Sequence, residues 1–442
     1  MRNTALLMAV SAGVLGVGLP ARSEDNPVVV VTPGSARTFK AALQSFADRS
    51  LTPDPERGKR LREELGRALE FSSVFETLSP KAFLGPEATV SMSNDRVVCA
   101  DWTQIGADAL VQGEIQADSD LRVEFQVWDT TRCKTVASKR YRLPPGSDVS
   151  ILARRIADDV VEAFIGLRGV ASTEIAFVSK RTGAAEIFVM GAEGSHQRPA
   201  TSNKSINNFP SWSPDGDAIV YTSYRYQGRP LLYVSSRGKG RPGRLLPSLD
   251  GMGSEFRGVY SPKGDKIAVV LTRPGLSSDI YSARADGRNL KQLTAGGAIE
   301  VSPAWSPDGS QIAFVSDRGG SPQVYVMNAD GSNQRRLTYQ GSYNTHPAWS
   351  PDGGWIAYES RVGGQFDIWL IDPEGTVNLP IVTHPRSDES PAWAPNGRKL
   401  AFSSKRRGRA DIYVVDVSGE NVRRLTRDQG DNTAPSWGPF SR

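Results

Sequence analysis

The chain has 442 residues, of which 38% are hydrophobic and 23% are charged, and its formal net charge is +5. This length has room for two domains, and so nearly balanced a charge indicates no nucleic-acid partner. The two cysteines, Cys99 and Cys133, have no histidine near them in the sequence, which excludes a zinc-binding signature. Two basic clusters, Lys405 to Arg409 and Arg335-Arg336, are therefore interpreted as solvated loop or strand-edge residues rather than as nucleic-acid contacts.

The first residues have the pattern of an export signal. Arg2 gives a positive start, residues 4–19 are apolar or small and uncharged, and small residues precede a cleavage site between Ser23 and Glu24. Because this apolar segment is short for a membrane span, we interpret residues 1–23 as a signal peptide rather than as a retained membrane anchor. Removal of Arg2 and Arg22 lowers the formal net charge from +5 to +3, and the mature protein is expected to be exported and soluble.

Residues 24–166 mix strand and helix patterns and predict a small α/β domain. Strands are predicted at 28–31 and 110–115, a hairpin at 121–129 with 135–142, and a charged helix at 56–70. Asp148 is predicted to cap a second helix, whose apolar face is Val149, Leu152, Ile156, Val160, Phe164 and Leu167. Residues 51–58, with Pro53 and Pro55, predict an exposed loop, and residues 166–172 predict a hinge.

Both cysteines lie in this N-terminal domain. An exported, oxidising compartment permits Cys99 and Cys133 to pair, and such a crosslink contributes about 3–4 kcal/mol by restricting the unfolded chain. Two buried free thiols are the alternative. We predict the disulfide.

A heptapeptide built around an aromatic residue recurs through the second half of the chain. Four copies read Pro-x-Trp-x-Pro-Asp/Asn-Gly, a fifth is truncated at the C-terminal end, and a degenerate sixth contains Tyr260. These aromatic residues are spaced 44 to 48 residues apart, which is typical of a four-stranded propeller blade and predicts six blades. The series is Trp212, Tyr260, Trp305, Trp349, Trp393 and Trp437.

The rest of each repeat predicts strands and the way in which the ring closes. The Pro-Asp-Gly of each copy is typical of a tight turn between two strands, and apolar runs follow it at fixed offsets. The first run, at Ile175, has no heptapeptide before it, and the last heptapeptide, at Pro435, has no run after it. We therefore predict an α+β and all-β chain, in which residues 170–442 form a six-bladed β-propeller whose C-terminal strand completes the first blade.

Positions that all blades share are expected to be scaffold, whereas a partner surface should break the symmetry. The aromatic series is therefore predicted to pack between neighbouring blades. An arginine follows the second strand in five blades, at Arg181, Arg225, Arg273, Arg318 and Arg406, and Val362 interrupts the series. We interpret these arginines as pins within their own hairpins, against acids such as Glu186, Asp279 or Asp411.

A polar residue stands three positions before each strand-opening proline or Gly258. We call this set the polar ring: Asn207, Glu255, Glu300, Asn344, Asp388 and Asn432. The residues beside it vary from blade to blade, and Phe209, Phe256, Val301 and His346 are predicted to be exposed there. Strand capping by Asx-type turns is one interpretation of the ring, and a recognition rim at one mouth of the channel is the other.

A signal peptide, a small domain with the sequence Asp101 to Gly113 (DWTQIGADALVQG) ahead of a hairpin, and a propeller ending in Pro-x-Trp-x-Pro-Phe together resemble the TolB family. The resemblance covers essentially the whole chain. It implies a monomeric, non-enzymatic periplasmic scaffold of the Tol-Pal envelope complex, without a cofactor and peripheral to the membrane. Such a protein supports outer-membrane integrity and envelope constriction at cell division.

The resemblance also implies two partner sites. The propeller would bind Pal, the peptidoglycan-associated lipoprotein, and with it other outer-membrane lipoproteins, and the mature N-terminus would bind TolA by strand addition. The residues implied for TolA are Glu24, Asp25, Asn26, Pro27, Val28 and Val29. Those implied for Pal are Asn207, Asn208, Phe209, Glu255, Phe256, Arg257, Glu300, Val301, Asn344, Thr345, His346, Asp388, Glu389, Asn432 and Thr433.

Two other classes of function stay open on the sequence. An exported propeller enzyme would be either a metal-assisted lyase using His196, His346 and His384 or a glycosidase using Glu255, Glu300, Asp388 and Glu389. A peptidase is disfavoured because no Gly-x-Ser-x-Gly elbow occurs. A generic exported interaction module outside the Tol system is the remaining alternative.

Overall fold

A computed structural model describes residues 38–84, 97–236, 239–246, 253–427 and 430–440. The predicted signal peptide, its cleavage site at Ser23 and Glu24, the implied TolA segment from Glu24 to Val29 and the predicted strand at 28–31 lie outside these residues. No helix in the described part of the chain combines the length and the apolar character that crossing a membrane requires.

The N-terminal domain is a mixed sheet with two long helices and one short one. Its elements in chain order are β1 (Phe39–Leu43), β2 (Ala47–Asp48), α1 (Pro55–Phe71), β3 (Phe75–Thr77), α2 (Cys99–Gln104), β4 (Ala109–Ala117), β5 (Leu121–Asp129), β6 (Lys134–Leu143) and α3 (Val149–Ile165). The strand order is β3-β1-β4-β5-β6, with β2 beside β4. Strand β1 pairs in parallel with β3 and β4, and β2 pairs in parallel with β4. Strands β4, β5 and β6 form an antiparallel meander.

Helix caps in the sequence set where α1 and α3 begin. Asp54 accepts the N–H of Glu56, and Pro55 occupies the first helical position, where its missing N–H costs nothing. The predicted loop at 51–58 is therefore wrong for residues 55–58, because Pro55 starts the helix instead of preventing it. Asp148 caps α3 as predicted, and Gly166 ends this helix in a left-handed conformation with φ of 72°.

The two long helices cover one face of the sheet. Leu61, Leu65, Leu152, Ile156 and Val160 are fully buried against the strands. Leu167, predicted to continue the apolar face of α3, lies beyond the end of the helix and is exposed. On the other face, Cys99 of α2 is bonded to Cys133 between β5 and β6, so a disulfide fastens the short helix to the hairpin.

The propeller consists of six four-stranded sheets in the described residues. The first blade contains β7 (Glu174–Thr182), β8 (Ala184–Gly191) and β9 (Arg198–Pro199). The second and third contain β10 (Asn207–Trp212), β11 (Ala218–Tyr226), β12 (Arg229–Ser236) and β13 (Lys239–Arg244), then β14 (Ser254–Tyr260), β15 (Lys266–Thr272), β16 (Ser278–Arg284) and β17 (Lys291–Gln292). The fourth contains β18 (Glu300–Trp305), β19 (Gln311–Ser316), β20 (Gln323–Asn328) and β21 (Arg335–Arg336). The fifth and sixth contain β22 (Asn344–Trp349), β23 (Ile356–Val362), β24 (Gln365–Ile371) and β25 (Asn378–Val382), then β26 (Asp388–Trp393), β27 (Lys399–Arg407), β28 (Arg409–Asp416) and β29 (Arg423–Arg424).

Ring closure follows the prediction. The last strand, β30 (Asn432–Trp437), pairs with β7 and becomes the innermost strand of the first blade. The tryptophans tie successive blades together as predicted, since the indole N–H of Trp305 donates to Val259 O and that of Trp393 donates to Ala348 O, each on the preceding blade. The six-bladed ring with shared-strand closure and the α/β N-terminal domain are therefore confirmed.

The propeller presents two different faces. The turn face carries the Pro-Asp-Gly turns and the turns between third and fourth strands. The channel-mouth face carries the loops that enter each first strand and the hairpins between second and third strands. The N-terminal domain packs on the turn face: Arg154 of α3 pairs with Glu193 at 3.2 Å, and Lys399 bonds both Asp416 and Ser73.

The connection between the two domains is held in place, which differs from the predicted hinge at 166–172. The buried carboxylate of Asp158 on α3 accepts the N–H groups of Ala171 and Ser172 at 2.7 and 3.0 Å. Gly169 passes so close that a Cβ there would lie 2.5 Å from an Asp158 oxygen. Sequence reasoning missed this contact because a polar residue on a helix face ordinarily indicates solvent.

Candidate functional site

The residues of the polar ring are buried rather than exposed at a rim. Asn207, Glu255, Glu300, Asn344, Asp388 and Asn432 are 0 to 2% exposed. Several of them reach the preceding blade: Asn207 donates to Glu186 at 2.9 Å, and Asn344 donates to Gln323 at 2.7 Å. Glu300 and Asp388 instead bond within their own blade, to Arg318 and Arg406. Burial of all six side chains favours the interpretation in which the ring holds the first strands in place.

Two arginines of the series pin their hairpins to acids of the polar ring, and Arg273 lies near Asp279, one of the acids that were predicted. Arg318 bonds Glu300 at 2.8 Å and Arg406 bonds Asp388 at 3.1 Å, so the partners of these arginines are in the polar ring of their own blade. The same guanidinium groups lie over Tyr325 and Tyr413. Charge pairing and ring stacking together hold these two hairpins against their first strands.

A second ring of residues lies two positions beyond the polar ring, where every first strand has a β-bulge. We call it the bulge ring: Phe209, Arg257, Ser302, His346, Ser390 and Ala434. All six have positive φ, between 42° and 57°, and the strand register shifts at each of them. Side chains of the ring line a channel cavity of about 100 Å³. Non-glycine residues rarely adopt this conformation, and such strained positions cluster at functional sites.

Two members of the bulge ring, Arg257 and His346, form a network across the channel. His346 Nδ1 lies 2.5 Å from Glu359 Oε1, and its Nε2 contacts the guanidinium of Arg257. Arg257 is half-buried over the ring of Phe209, and desolvation lowers its pKa to about 10. The other oxygen of Glu359 accepts the N–H of Ser390 at 2.8 Å, so residues of the second, third, fifth and sixth blades are joined.

The remaining residues implied for Pal lie between the two rings or beside them. Asn208, Phe256, Val301, Glu389 and Thr433 are half-buried, whereas Thr345 is buried. Phe209, Phe256, Val301 and His346, predicted to be exposed on the rim, are all half-buried, and Phe209 and His346 line the channel cavity.

The most exposed apolar residues of the channel-mouth face were not among the predicted ones. Ile206, Ile299 and Tyr343 directly precede the polar ring and are 49, 51 and 38% exposed. Others lie at hairpins or in a neighbouring loop: Tyr226, Leu276, Tyr339 and Val362. The sequence could have indicated these residues, because each is an isolated apolar residue within a Gly- and Ser-rich loop, where core packing does not require one.

The groups considered for an enzyme do not assemble. His196 lies at the turn face beside Asp148, whereas His346 lies in the channel. Within the described ranges no three His, Cys, Asp or Glu residues are grouped as a metal site would require. Glu255, Glu300 and Asp388 are buried and bound to arginines.

Family models match both parts of the chain. The model described as the TolB amino-terminal domain matches residues 27–136, and the TolB beta propeller domain matches residues 247–441. A Tol-Pal system protein TolB from Anaeromyxobacter dehalogenans is 35% identical over 300 residues, which are 67% of each chain. This chain belongs to the TolB family. A TolB from an Anaeromyxobacter species has the same identity and coverage.

TolB-like architecture extends over nearly all of the chain. The crystal structure of TolB from Acinetobacter baumannii aligns with a TM-score of 0.77, covering 92% of this chain and 98% of that one at 22% identity. At that identity the likeness concerns the fold. Membership of the TolB family makes the chain a Tol-Pal component of the cell envelope, and its relatives are named as system proteins rather than as enzymes.

Proposed function

We propose that this protein is a periplasmic scaffold that binds Pal through the channel-mouth face of its propeller and TolA through its mature N-terminus. By holding both partners it would support outer-membrane integrity and envelope constriction at cell division. Other outer-membrane lipoproteins would reach the same face. The proposal extends family membership to partners that the relatives' names do not state.

Apolar side chains are exposed on one face of the propeller, which the protein itself covers only in part. This exposure is the observation that supports the Pal site. The contacts of the N-terminal domain described above are on the turn face, at Glu193, Lys399 and Asp416. At the channel-mouth face, Ile299 and Tyr343 remain exposed beside a channel cavity. An apolar centre next to a concave opening is suited to a protein partner.

Within this proposal the sites have different roles. The half-buried residues Asn208, Phe209, Phe256, Arg257 and His346 would contact Pal together with the exposed apolar residues. The polar ring would hold their loops from behind. Residues within and beside the bulge ring would thus contact the partner, and the polar ring would support them.

Calorimetric titration of the mature chain, Glu24 to Arg442, with the soluble domain of Pal from the same bacterium tests the Pal site. We expect saturable one-to-one binding, weakened at least about tenfold by Ile299→Ser with Tyr343→Ser, because buried apolar anchors contribute about 1–2 kcal/mol each. The matched control is Val377→Ser with Val422→Ser, which removes two equally exposed apolar residues from the turn face. Absence of binding by the unaltered chain would refute the Pal site.

A deletion tests the TolA site separately. Removing Glu24 to Val29 should abolish TolA binding and leave Pal affinity unchanged, because the deleted segment would act by strand addition. Equal TolA affinity before and after the deletion would exclude this site.

A further inference from the structure

The repeat distributes charge unevenly between the two faces of the propeller. Each Pro-Asp-Gly turn places an acid on the turn face, where Asp308 and Asp352 are exposed among residues of both signs. The arginine that follows each second strand is placed at the channel-mouth face instead. Three blades carry the turn acid, at Asp215, Asp308 and Asp352, and five carry the arginine, so the difference recurs around most of the ring.

The exposed charges of the channel-mouth face are all positive among the described residues. Its acids, including Glu186, Glu300, Glu359, Asp388 and Asp411, are buried or half-buried. The exposed cations are Lys180, Lys204, Arg225, Arg273, Arg318, Arg361, Arg386, Lys405, Arg407, Arg409 and Arg427. Burial of the acids leaves a positive potential that the nearly neutral composition of the chain does not indicate.

The hairpin of the sixth blade is the most cationic part of this face. Lys405 pairs with Glu389 at 2.9 Å, and Arg406 is bound to Asp388 inside the blade. Arg407 and Arg409 flank Gly408 at the exposed tip of the hairpin. Their charges therefore project from the face, whereas those of Arg318 and Arg406 are partly neutralised by buried acids.

We propose that the channel-mouth face recognises an acidic protein surface, and that the contacting surface of Pal is therefore acidic. The inference rests on the proposed function and adds the chemistry of the partner. Three apolar residues are exposed beside the channel mouth, Ile206, Ile299 and Tyr343, and cations lie on the surrounding hairpins. Protein interfaces have the same arrangement of an apolar centre within a polar rim.

Electrostatic complementarity acts mainly on association rate and on salt dependence. Exposed charges further apart than the Debye length, about 8 Å at physiological salt, are screened. The proposal therefore predicts that association with the soluble domain of Pal slows at least about tenfold when salt is raised from about 0.05 to about 0.5 M. Arg407→Glu with Arg409→Glu should slow it by about the same factor at low salt.

Stopped-flow or surface-binding kinetics measure the association rate of the full mature chain with the soluble domain of Pal. The matched control is Arg288→Glu with Lys291→Glu, which reverses two exposed cations on the turn face and changes the net charge equally. Circular dichroism and melting temperature check that all variants fold. We expect the control to associate at nearly the unaltered rate.

The outcomes separate this inference from the proposed function. No binding by the unaltered chain at any salt would overturn the Pal proposal and this inference with it. Pal binding that is indifferent to salt and to R407E/R409E would overturn this inference alone. A loss of binding to phosphatidylglycerol vesicles in R407E/R409E, with Pal kinetics unchanged, would assign the cations to a lipid surface instead.

Discussion

Single residues of the polar ring show how one sequence position can be polar in every blade and yet be buried. Asp388 is fully buried, yet its carboxylate binds the guanidinium of Arg406 in the same blade. A buried charge is tolerated only when it is paired and hydrogen-bonded. Repetition of the position therefore reflects a packing requirement that all six blades share.

Removal of one buried partner should be costly. Asp388→Ala leaves Arg406 without its carboxylate, and we expect the free energy of unfolding to fall by about 3 kcal/mol. Urea unfolding followed by tryptophan fluorescence measures this. Arg407→Ala, one residue further along the hairpin and exposed, should change stability by less than about 0.5 kcal/mol. Equal effects of the two substitutions would contradict a structural role for the ring.

At the scale of elements, the junction of the domains depends on α3. Asp158 presents its carboxylate to the backbone of residues 171–172, and the close approach of Gly169 leaves no room for a side chain. The two domains are consequently joined by a bound segment. Its stability should respond to the protonation of one group.

The pH dependence of that junction has a defined sign. Burial raises the pKa of Asp158 from 3.8 to about 6, although hydrogen bonds from Ser172 and Ala171 and the charge of Arg168 oppose it. Because the folded pKa is the higher one, its contribution of about 3 kcal/mol is complete below pH 4 and is lost as the pH rises through 6. The unfolding free energy of the native chain relative to Asp158→Asn should therefore decrease between pH 4 and 6.5. A difference in unfolding free energy that stays constant over this pH range would refute the raised pKa of Asp158.

The disulfide should stabilise the N-terminal domain selectively. Its ends are 34 residues apart, so replacement of Cys99 and Cys133 by serine should cost about 3–4 kcal/mol. Hydrogen exchange is expected to accelerate in β4, β5 and β6 and to remain slow in the propeller strands. Faster exchange throughout the chain would show that the two domains unfold together.

At the scale of the whole molecule, closure of the ring depends on its last strand. Without β30 the first blade would lack its innermost strand, and β7 would expose an unpaired edge beside the channel. A chain that ends at residue 431 should therefore aggregate or melt at much lower temperature. Size-exclusion chromatography and a thermal melt measure this, and truncation after Phe440 is the control. A monomeric, native-like truncated ring would contradict the role of shared closure.

The repeat and the helix caps could be predicted from the sequence because they depend on local chemistry. Trp305 and its counterparts indicated six blades, Asp148 indicated the start of α3, and the unmatched ends at Ile175 and Pro435 indicated closure. Each of these signals lies within a few residues of the feature that it specifies. Periodicity then extends one local solution around the ring.

The candidate site depended on which side of a strand each residue faces in the closed ring. Glu300 is buried while Ile299 beside it is exposed, because adjacent residues of a strand face opposite sides, and two residues further on a bulge shifts the register of every first strand. The same shift places Arg257 and His346 together in the channel although 89 residues separate them. The sequence alone determined the number of blades and how they close. Only the tertiary structure decided which polar residues are buried and which face is positively charged, because both depend on contacts between distant blades.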